Sequence, residues 1–179
     1  MGEIHFSRYR ADLWEESLRK MKAGGLSIAS VYVIWIHHEE EEGKFDFTGN
    51  RNLRGFLEAA KKVGISVFLR VGPWVHGEAR NGGFPDWLQN KSDTIDLRSD
   101  DPDYLSYVRR YWEQVYEQVK GYLCKDGGPV IGTRLKMSTA MSVAIVEKRG
   151  NSICVPSPLW QERLDLICHF TRQLVGAAL

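Results

Sequence analysis

Apolar residues recur along the chain in two different periods. Over residues 11–23 they lie three and four positions apart, at Trp14, Leu18 and Met21, which is the spacing of one face of an α-helix. Residues 27–36 instead form a run rich in β-branched and aromatic residues, which indicates a buried strand. The first third of the chain therefore predicts a helix followed by a buried strand.

The alternation continues to about residue 132. Strands are predicted at residues 3–9, 65–72 and 129–132, and a second helix is predicted at residues 50–64. A third helix is expected to begin at Asp101 and Pro102, because a capping aspartate and a proline at the first helical position favour a helix start. The resulting βαβαβαβ order predicts parallel strands joined by helices. An open α/β sheet and a (β/α)₈ barrel both fit this order.

The pattern changes after Arg134. Residues 134–179 show no continuation of the strand and helix alternation. We therefore divide the chain into an α/β unit at residues 1–133 and a tail at residues 134–179, for which the sequence predicts no strand. Within the tail, the spacing of Leu164, Ile167, Cys168 and Leu174 fits a helix.

The composition excludes several classes of function. The chain has 179 residues, of which 43% are hydrophobic and 26% charged, as is usual for one globular domain. A net charge of +1 gives no reason to expect nucleic acid or an anionic membrane as a partner. We find no apolar run long enough to span a bilayer and no signal-peptide pattern. The three cysteines, Cys124, Cys154 and Cys168, are too widely spaced for a zinc pattern or a disulfide framework. Cellular compartment and oligomeric state stay open.

Polar residues follow the second predicted strand, which itself contains Tyr32. His37 and His38 lie beside glutamates, a combination that suggests a metal site. Neighbours on a strand point to opposite faces, however, so these two histidines are not expected to share one ion. No glycine-rich phosphate-binding pattern follows any strand either. We therefore expect no metal and no cofactor, and assign Glu39 a structural role.

A second cluster, "GPWVHGEARNGGFPDWL", follows the third strand at residues 72–88. Glu78 lies just past the strand end, with His76 before it, and Gly77 allows a ligand to approach the backbone closely. A carboxylate among tryptophans suits a ligand rich in hydroxyl groups, since charged acceptors bind sugar hydroxyls and aromatic faces stack on sugar rings. The same residues also fit an ordinary surface loop.

Four motifs in order, "GEIHFSRY", "YVIWIHHE…GKFDFTGNRNL", "LRVGPWVHGE…NGGFPDWL" and "GGPVIG", resemble the amino-terminal catalytic region of glycoside hydrolase family 35, the β-galactosidases. The resemblance covers residues 2–132. It implies a (β/α)₈ TIM barrel, of which roughly the first four βα units are present, a retaining mechanism, and a β-galactoside or oligosaccharide as ligand. Tyr32 matches the family's galactose-contacting tyrosine.

The family's short galactose-binding stretch, N/C-A-E, matches His76, Gly77 and Glu78. His76 and Gly77 depart from that pattern, and Ile36 stands where the family usually has asparagine. The resemblance thus implies substrate binding at Tyr32, His76, Gly77 and Glu78. The departures at His76 and Gly77, together with Arg80 where tryptophan is common, imply altered sugar contacts.

The family's acid/base glutamate lies in Q-x-E-N-E-Y-G after "GGPVIG". This register aligns Lys136, Met137 and Ser138 with E-N-E, so that Ser138 occupies the acid/base position. The family's nucleophile belongs to a later strand. Glycoside cleavage generally needs two carboxyl groups, so we expect the chain as written to be a fragment without hydrolase activity.

A shift of reading frame is one hypothesis for the missing acid. The codons ACC AGA TTG AAA ATG AGT ACG GC– are one set that would encode residues 133–140. Read from the last base of the first codon, they give Gln-Ile-Glu-Asn-Glu-Tyr-Gly, the family motif. On this hypothesis one base was lost near Thr133 and the residues from about Arg134 onward are translated out of frame. The alternative is a diverged tail.

Two further interpretations of function remain. One is a sugar-binding protein without catalysis that retains Tyr32 and Glu78. The other is a barrel glycosidase with a different sugar specificity.

Overall fold

The computed structural model describes residues 1–136 and 143–146, with side chains over residues 1–135. The strands are β1 (Gly2–Glu3), β2 (Ile28–Tyr32), β3 (Ser66–Pro73), β4 (Val130–Lys136) and β5 (Val143–Val146). The helices are α1 (Trp14–Ala23), α2 (Trp35–His38), α3 (Leu53–Val63), α4 (Asp86–Gln89) and α5 (Pro102–Val119). No helix of the described part is long and apolar enough to cross a membrane.

The five strands form one sheet in sequential order, β1-β2-β3-β4-β5. The first four strands are parallel, and the register between β2 and β3 runs from Ile28 opposite Ser66 to Tyr32 opposite Arg70. Parallel crossovers are nearly always right-handed. Strands added in sequence by such crossovers therefore have all their helices on the same side.

Burial along β3 shows which face the helices cover. Val67, Leu69 and Val71 are buried in the main core, whereas the alternating residues Ser66, Phe68 and Arg70 are only partly buried. A doubly wound sheet would have helices on both faces and a reversal of strand order. One covered face and a sequential order are instead the features of a (β/α)₈ barrel, and the described residues form part of one.

Local signals fix the two long helices where the sequence predicts them. Asn52 caps α3 by accepting a hydrogen bond from the Gly55 amide at 2.8 Å, and Gly64 ends the helix in the left-handed conformation at φ 71°. Asp101 caps α5 by accepting from the Asp103 and Tyr104 amides at 2.9 and 3.2 Å. The predictions of these two helices are confirmed.

Two predicted strands are shorter than expected. The strand at residues 3–9 covers only Gly2–Glu3 in the structure, and a 3₁₀ turn follows at Phe6–Arg8. The turn directs the Phe6 ring, which is fully buried, against Trp14 and Phe56. Burial of this aromatic side chain outweighs the β propensity of its neighbours.

The strand predicted at residues 27–36 ends at Tyr32, and residues 35–38 form α2. Trp35 is fully buried there and stacks on Tyr111 of α5, with ring centroids 4.6 Å apart. This contact with a residue distant in the sequence stabilises the helical turn at residues 35–38, and local propensities could not predict it.

The sequence did not predict β5. It lies in the tail, for which we predicted no strand, and it pairs antiparallel with β4, from Leu135 opposite Val143 to Gly132 opposite Val146. The strand alternation of the first 132 residues therefore does not continue past β4 in the same parallel sense.

Glu39, assigned a structural role from the sequence, is a fully buried carboxylate that joins four elements. Its side chain accepts hydrogen bonds from Trp35 Nε1 at 2.7 Å, from the Gly43 amide at 2.8 Å and from Arg110 of α5 at 2.5 Å. Its backbone carbonyl accepts from Trp87 Nε1 of α4 at 3.0 Å. One residue thus fixes the segment after β2 to both helices that follow β3.

Replacement of Glu39 by Gln tests this arrangement. The glutamine side chain is neutral, so Arg110 loses its counter-charge. Its NH₂ group would also face one of the N–H donors that now bind the carboxylate. We therefore expect a loss of about 3 kcal/mol in the free energy of unfolding. Urea unfolding followed by circular dichroism measures it. Glu117→Gln is the control, because Glu117 is exposed and its pairing with Lys120 at 3.8 Å contributes at most about 1 kcal/mol. Equal losses in the two variants would contradict the role of Glu39.

Candidate functional site

The carboxyl ends of the parallel strands β1 to β4 lie along one edge of the sheet. Enzymes with the (β/α)₈ fold place their active sites at this edge. The segments that leave it contain most of the residues that the sequence singled out, at the end of β2 and in the long connection after β3.

The ring of Tyr32 is held between residues of the two neighbouring strands. The His5 ring, which follows β1, stacks on it with centroids 5.6 Å apart and planes 9° apart. The Arg70 guanidinium, from β3, lies 3.9 Å from the centroid of the Tyr32 ring. Arg70 also forms an ion pair with Glu3 at 2.5 Å. Three adjacent strands thus determine the orientation of Tyr32, which is 3% exposed.

Gly77 lies directly against this pair of rings. A Cβ atom at position 77 would lie 3.0 Å from His5 Cε1 and 3.3 Å from Tyr32 Cδ2. Both distances are shorter than ordinary van der Waals contact, so the close packing of the two rings leaves no room for a side chain at position 77.

The connection after β3 folds back on itself. The Val75 amide donates to the Gly82 carbonyl at 2.8 Å. Gly82 has a positive φ of 62°, and a Cβ there would lie 2.2 Å from the Trp74 ring. Asp86 accepts from Arg80 at 2.6 Å and from Asn81 at 2.9 Å. The turn is therefore closed by one backbone bond, one glycine contact and one carboxylate.

Glu78 lies within this turn in a left-handed backbone conformation, with φ 53°. Such a conformation is uncommon for a residue with a Cβ and costs on the order of 1 kcal/mol. Arg8 donates to the Glu78 carbonyl at 3.3 Å. The Glu78 side chain is exposed, so its carboxylate is available to a ligand.

Two concave sites open at this edge. We call the smaller, of about 140 Å³, the tyrosine pocket; it is lined by Tyr32, Arg70, Gly72, Trp74, His76 and Arg134. We call the larger, of about 500 Å³, the glutamate cavity; it is lined by Arg8, Ile36, His37, Glu40, Glu78, Ala79, Arg80 and Asp86. Tyr32 and His76 therefore share one site, Glu78 faces the other, and Gly77 joins His76 to Glu78 in the chain.

The sequence did not identify Arg70, Arg8 or His5 as site residues. A signal for Arg70 exists, because it is a charged residue at an inward position of an otherwise apolar strand. His5 and Arg8 lay in a segment predicted as a strand, which concealed their position above the sheet edge. Ser138, the residue aligned with the acid/base, lies outside the described residues.

The two adjacent histidines differ in surroundings. His37 lies in the glutamate cavity, with its Nδ1 2.8 Å from Ser7 Oγ. His38 is fully buried, with Nδ1 3.0 Å from the Asp46 carbonyl and its ring stacked on Phe47. The strand geometry that we used to separate them is wrong, since both belong to α2. In the described residues no three His, Cys, Asp or Glu side chains are placed to hold a metal ion.

Burial lowers the pKa of His38 to about 4, because its charged form would lose hydration. A histidine in an unfolded chain titrates near 6.5. Between pH 4 and pH 6.5, His38 is therefore protonated in the unfolded chain but neutral in the folded chain. The stabilisation from neutral His38 is therefore complete above pH 6.5 and is lost as the pH falls towards 4.

We expect the free energy of unfolding to fall by up to about 3 kcal/mol between pH 6.5 and pH 4 because of this residue. In His38→Asn, which retains a donor to Asp46, the slope should flatten although stability at pH 7 is lower. Urea titrations across this range measure both quantities. His37→Asn is the control and should retain most of the slope, since His37 is less buried. A wild-type slope in His38→Asn would contradict the assignment.

Gly77→Ala tests the contact between the turn and the rings. The added methyl group should push His5 and Tyr32 apart and cost about 1–3 kcal/mol, as expected for overpacking. Thermal unfolding measures the cost, and a change in the near-ultraviolet circular dichroism of the tyrosine reports the ring shift. Gly24→Ala should be neutral, because Gly24 is exposed, has φ −77° and has no atom closer than 3.4 Å to the added Cβ. An unaltered spectrum for Gly77→Ala would contradict the packing described.

Comparison with known proteins identifies the family of the chain. The chain is 38% identical over 154 aligned residues to an exo-β-D-glucosaminidase of Pyrococcus horikoshii. This alignment covers 75% of the chain and 20% of that protein. It is 38% identical over 135 residues to the β-galactosidase of Mus musculus, over 75% of this chain and 21% of that protein. The chain thus spans about a fifth of the length of these relatives.

Among solved structures, a β-galactosidase of the Antarctic haloarchaeon Halorubrum lacusprofundi matches with a TM-score of 0.57 at 19% identity, over 75% of this chain and 20% of that one. At this identity the likeness concerns the fold. The family model described as "Glycosyl hydrolases family 35" matches residues 1–137, more than half of the chain. The chain therefore belongs to glycosyl hydrolases family 35.

Proposed function

We propose that this chain is the amino-terminal part of a retaining β-galactosidase-type hydrolase, which cleaves terminal β-D-galactosyl residues, and that the chain as written does not carry out the cleavage. One observation carries the proposal. Within a family 35 chain, Tyr32 and Gly77 are in close contact at the carboxyl edge of the sheet, and Glu78 follows with its carboxylate exposed.

The proposed role of these residues is recognition of the sugar. Tyr32, whose ring is held between His5 and Arg70, offers an oriented hydroxyl group. Glu78 accepts hydrogen bonds from sugar hydroxyls, each worth roughly 1.5–3 kcal/mol because the acceptor is charged. His76 supplies ring nitrogens beside Tyr32 in the tyrosine pocket.

The proposed lack of activity follows from the carboxylates. Retaining cleavage needs an acid/base and a nucleophile about 5–5.5 Å apart. The other carboxylates of the glutamate cavity are engaged elsewhere: Glu40 pairs with Arg51 at 2.7 Å, and Asp86 holds Arg80 and Asn81. Ser138 stands in the aligned acid/base position. The shifted reading frame near Thr133 would restore that glutamate.

Two alternative functions are compatible with the same family. A sugar-binding protein without catalysis is favoured if the coding DNA has one continuous frame with no hidden E-N-E. A barrel glycosidase of different specificity, such as a hydrolase for amino sugars, the class named for the Pyrococcus relative, is favoured if the frame-restored protein cleaves a sugar other than galactose.

The test begins with the coding DNA and ends with hydrolysis. Read in the shifted frame, the DNA should give E-N-E-Y-G and then further barrel strands with a second glutamate at a strand end. Protein made in that frame should hydrolyse an aryl β-galactoside, whereas the 179-residue chain should not, because general acid catalysis alone contributes roughly 10²–10⁴-fold. A shifted frame full of stop codons, or turnover by the 179-residue chain, would contradict the proposal.

Glu78→Gln in the frame-restored protein is the control for roles. Azide or formate can replace a missing nucleophile or acid/base but cannot restore a lost binding contact. We expect reduced turnover of the galactoside that azide does not rescue. Formation of a galactosyl azide would instead make Glu78 a reacting carboxylate.

A further inference from the structure

We infer that the tyrosine pocket of this chain binds an oxyanion carried by a sugar, either a carboxylate or a sulfate ester. The inference rests on the proposed function in one respect, namely that sugars bind at this edge of the sheet. It goes beyond that function by assigning the pocket to an acidic sugar, where the proposed activity concerns a neutral one.

The register of β3 and β4 places two arginines side by side. Arg70 of β3 is the direct partner of Arg134 of β4. Adjacent strands lie about 4.8 Å apart, and partner residues on parallel strands project to the same face. Both arginines line the tyrosine pocket, and both are partly buried. Two like charges in this arrangement repel each other in the empty protein.

The second step is the charge balance. The residues that line the pocket include no aspartate or glutamate. Arg70 has Glu3 as its partner at 2.5 Å. Among the side chains of residues 1–135 no carboxylate forms an ion pair with Arg134. The pocket therefore has a positive charge that the described side chains leave uncompensated.

The third step is the shape of the complementary ligand. A guanidinium presents a planar fork of N–H donors that matches the two oxygens of a carboxylate or a sulfate. An oxyanion between Arg70 and Arg134 would accept from both and remove their repulsion. A neutral hydroxyl would accept a hydrogen bond but leave the charge, and a protonated amine would add to the repulsion.

The fourth step distinguishes a sugar acid from a free ion. The pocket volume of 140 Å³ is that of about five water molecules, which is more than one oxyanion fills. Tyr32 lines the remaining wall; His5 and Arg70 cover the faces of its ring, and its hydroxyl group can hydrogen-bond a sugar hydroxyl. The ligand that uses the whole pocket is a monosaccharide unit with a carboxylate or sulfate substituent.

Arg134 makes this preference a property of the chain as translated. The family motif aligned with residues 134–138 begins with a neutral glutamine, so that Arg134 adds a charge at the position of an amide. Arg134→Gln therefore removes the second arginine without disturbing Arg70, which the Glu3 pair and the Tyr32 contact hold in place.

The experiment is calorimetric titration of the 179-residue chain at fixed pH and ionic strength, after circular dichroism has shown its helices. The ligands are D-galacturonate, D-galactose and inorganic sulfate. We expect D-galacturonate to bind at least about tenfold more tightly than D-galactose or sulfate. Arg134→Gln should weaken D-galacturonate at least about tenfold and leave D-galactose nearly unchanged.

Arg109→Gln is the matched control. It removes the same charge from an exposed position on α5, so that a general change of net charge is separated from loss of the pocket arginine. All three ligands should bind this variant as they bind the wild type. Higher salt should weaken D-galacturonate more than D-galactose.

The outcomes separate this inference from the proposed function. Binding of D-galactose without preference for D-galacturonate, or indifference to Arg134→Gln, overturns the inference and leaves the galactosidase proposal standing. Sulfate binding as tightly as D-galacturonate overturns the sugar component, since a free ion would suffice. A chain without helical circular dichroism has no such pocket and also overturns the inference. Preference for D-galacturonate together with a frame-restored protein inactive on galactosides supports the inference and refutes the proposed activity.

Discussion

The buried carboxylate of Glu39 is the constraint on which the arrangement of the edge depends. It is out of contact with water and has three donors, from α2, from the loop at Gly43 and from α5. Removal of a carboxylate from water is costly unless charge and hydrogen bonds compensate, and here both do. Because the donors come from segments far apart in the chain, the geometry of the edge exists only when the long-range fold has formed.

The site above that edge is built on rigid elements with one strained turn. His5, Tyr32 and Arg70 come from three consecutive strands, so their relative positions follow from the sheet register. Glu78 lies in a turn that a glycine contact, a backbone bond and Asp86 keep closed. This division places the oriented tyrosine on the strands and the exposed carboxylate on the connection, where a left-handed residue directs it towards the larger cavity.

The parts of the fold that the sequence predicts correctly are those with local causes. The limits of α3 and α5 follow from Asn52, Gly64 and Asp101, each of which acts within its own turn. The failures occur at Phe6 and Trp35, where burial of one aromatic ring against distant residues outweighs β propensity. For the site, the motifs identify Tyr32, His76, Gly77 and Glu78. No sequence pattern predicts that these residues are distributed between two separate cavities. That division depends on the path of the turn after β3.

The contact of Gly77 with the two rings makes positions 5, 32 and 77 epistatic. Room for a side chain at position 77 can arise only where the ring at position 5 or at position 32 shrinks or turns away, since the closest atoms belong to those rings. Among chains of this family, an alanine at position 77 should accordingly be accompanied by a change in the residue after the first strand or in the tilt of the tyrosine. Substitutions at the three positions would then be correlated among relatives. The depth to which a sugar can enter would change only when all three positions change together.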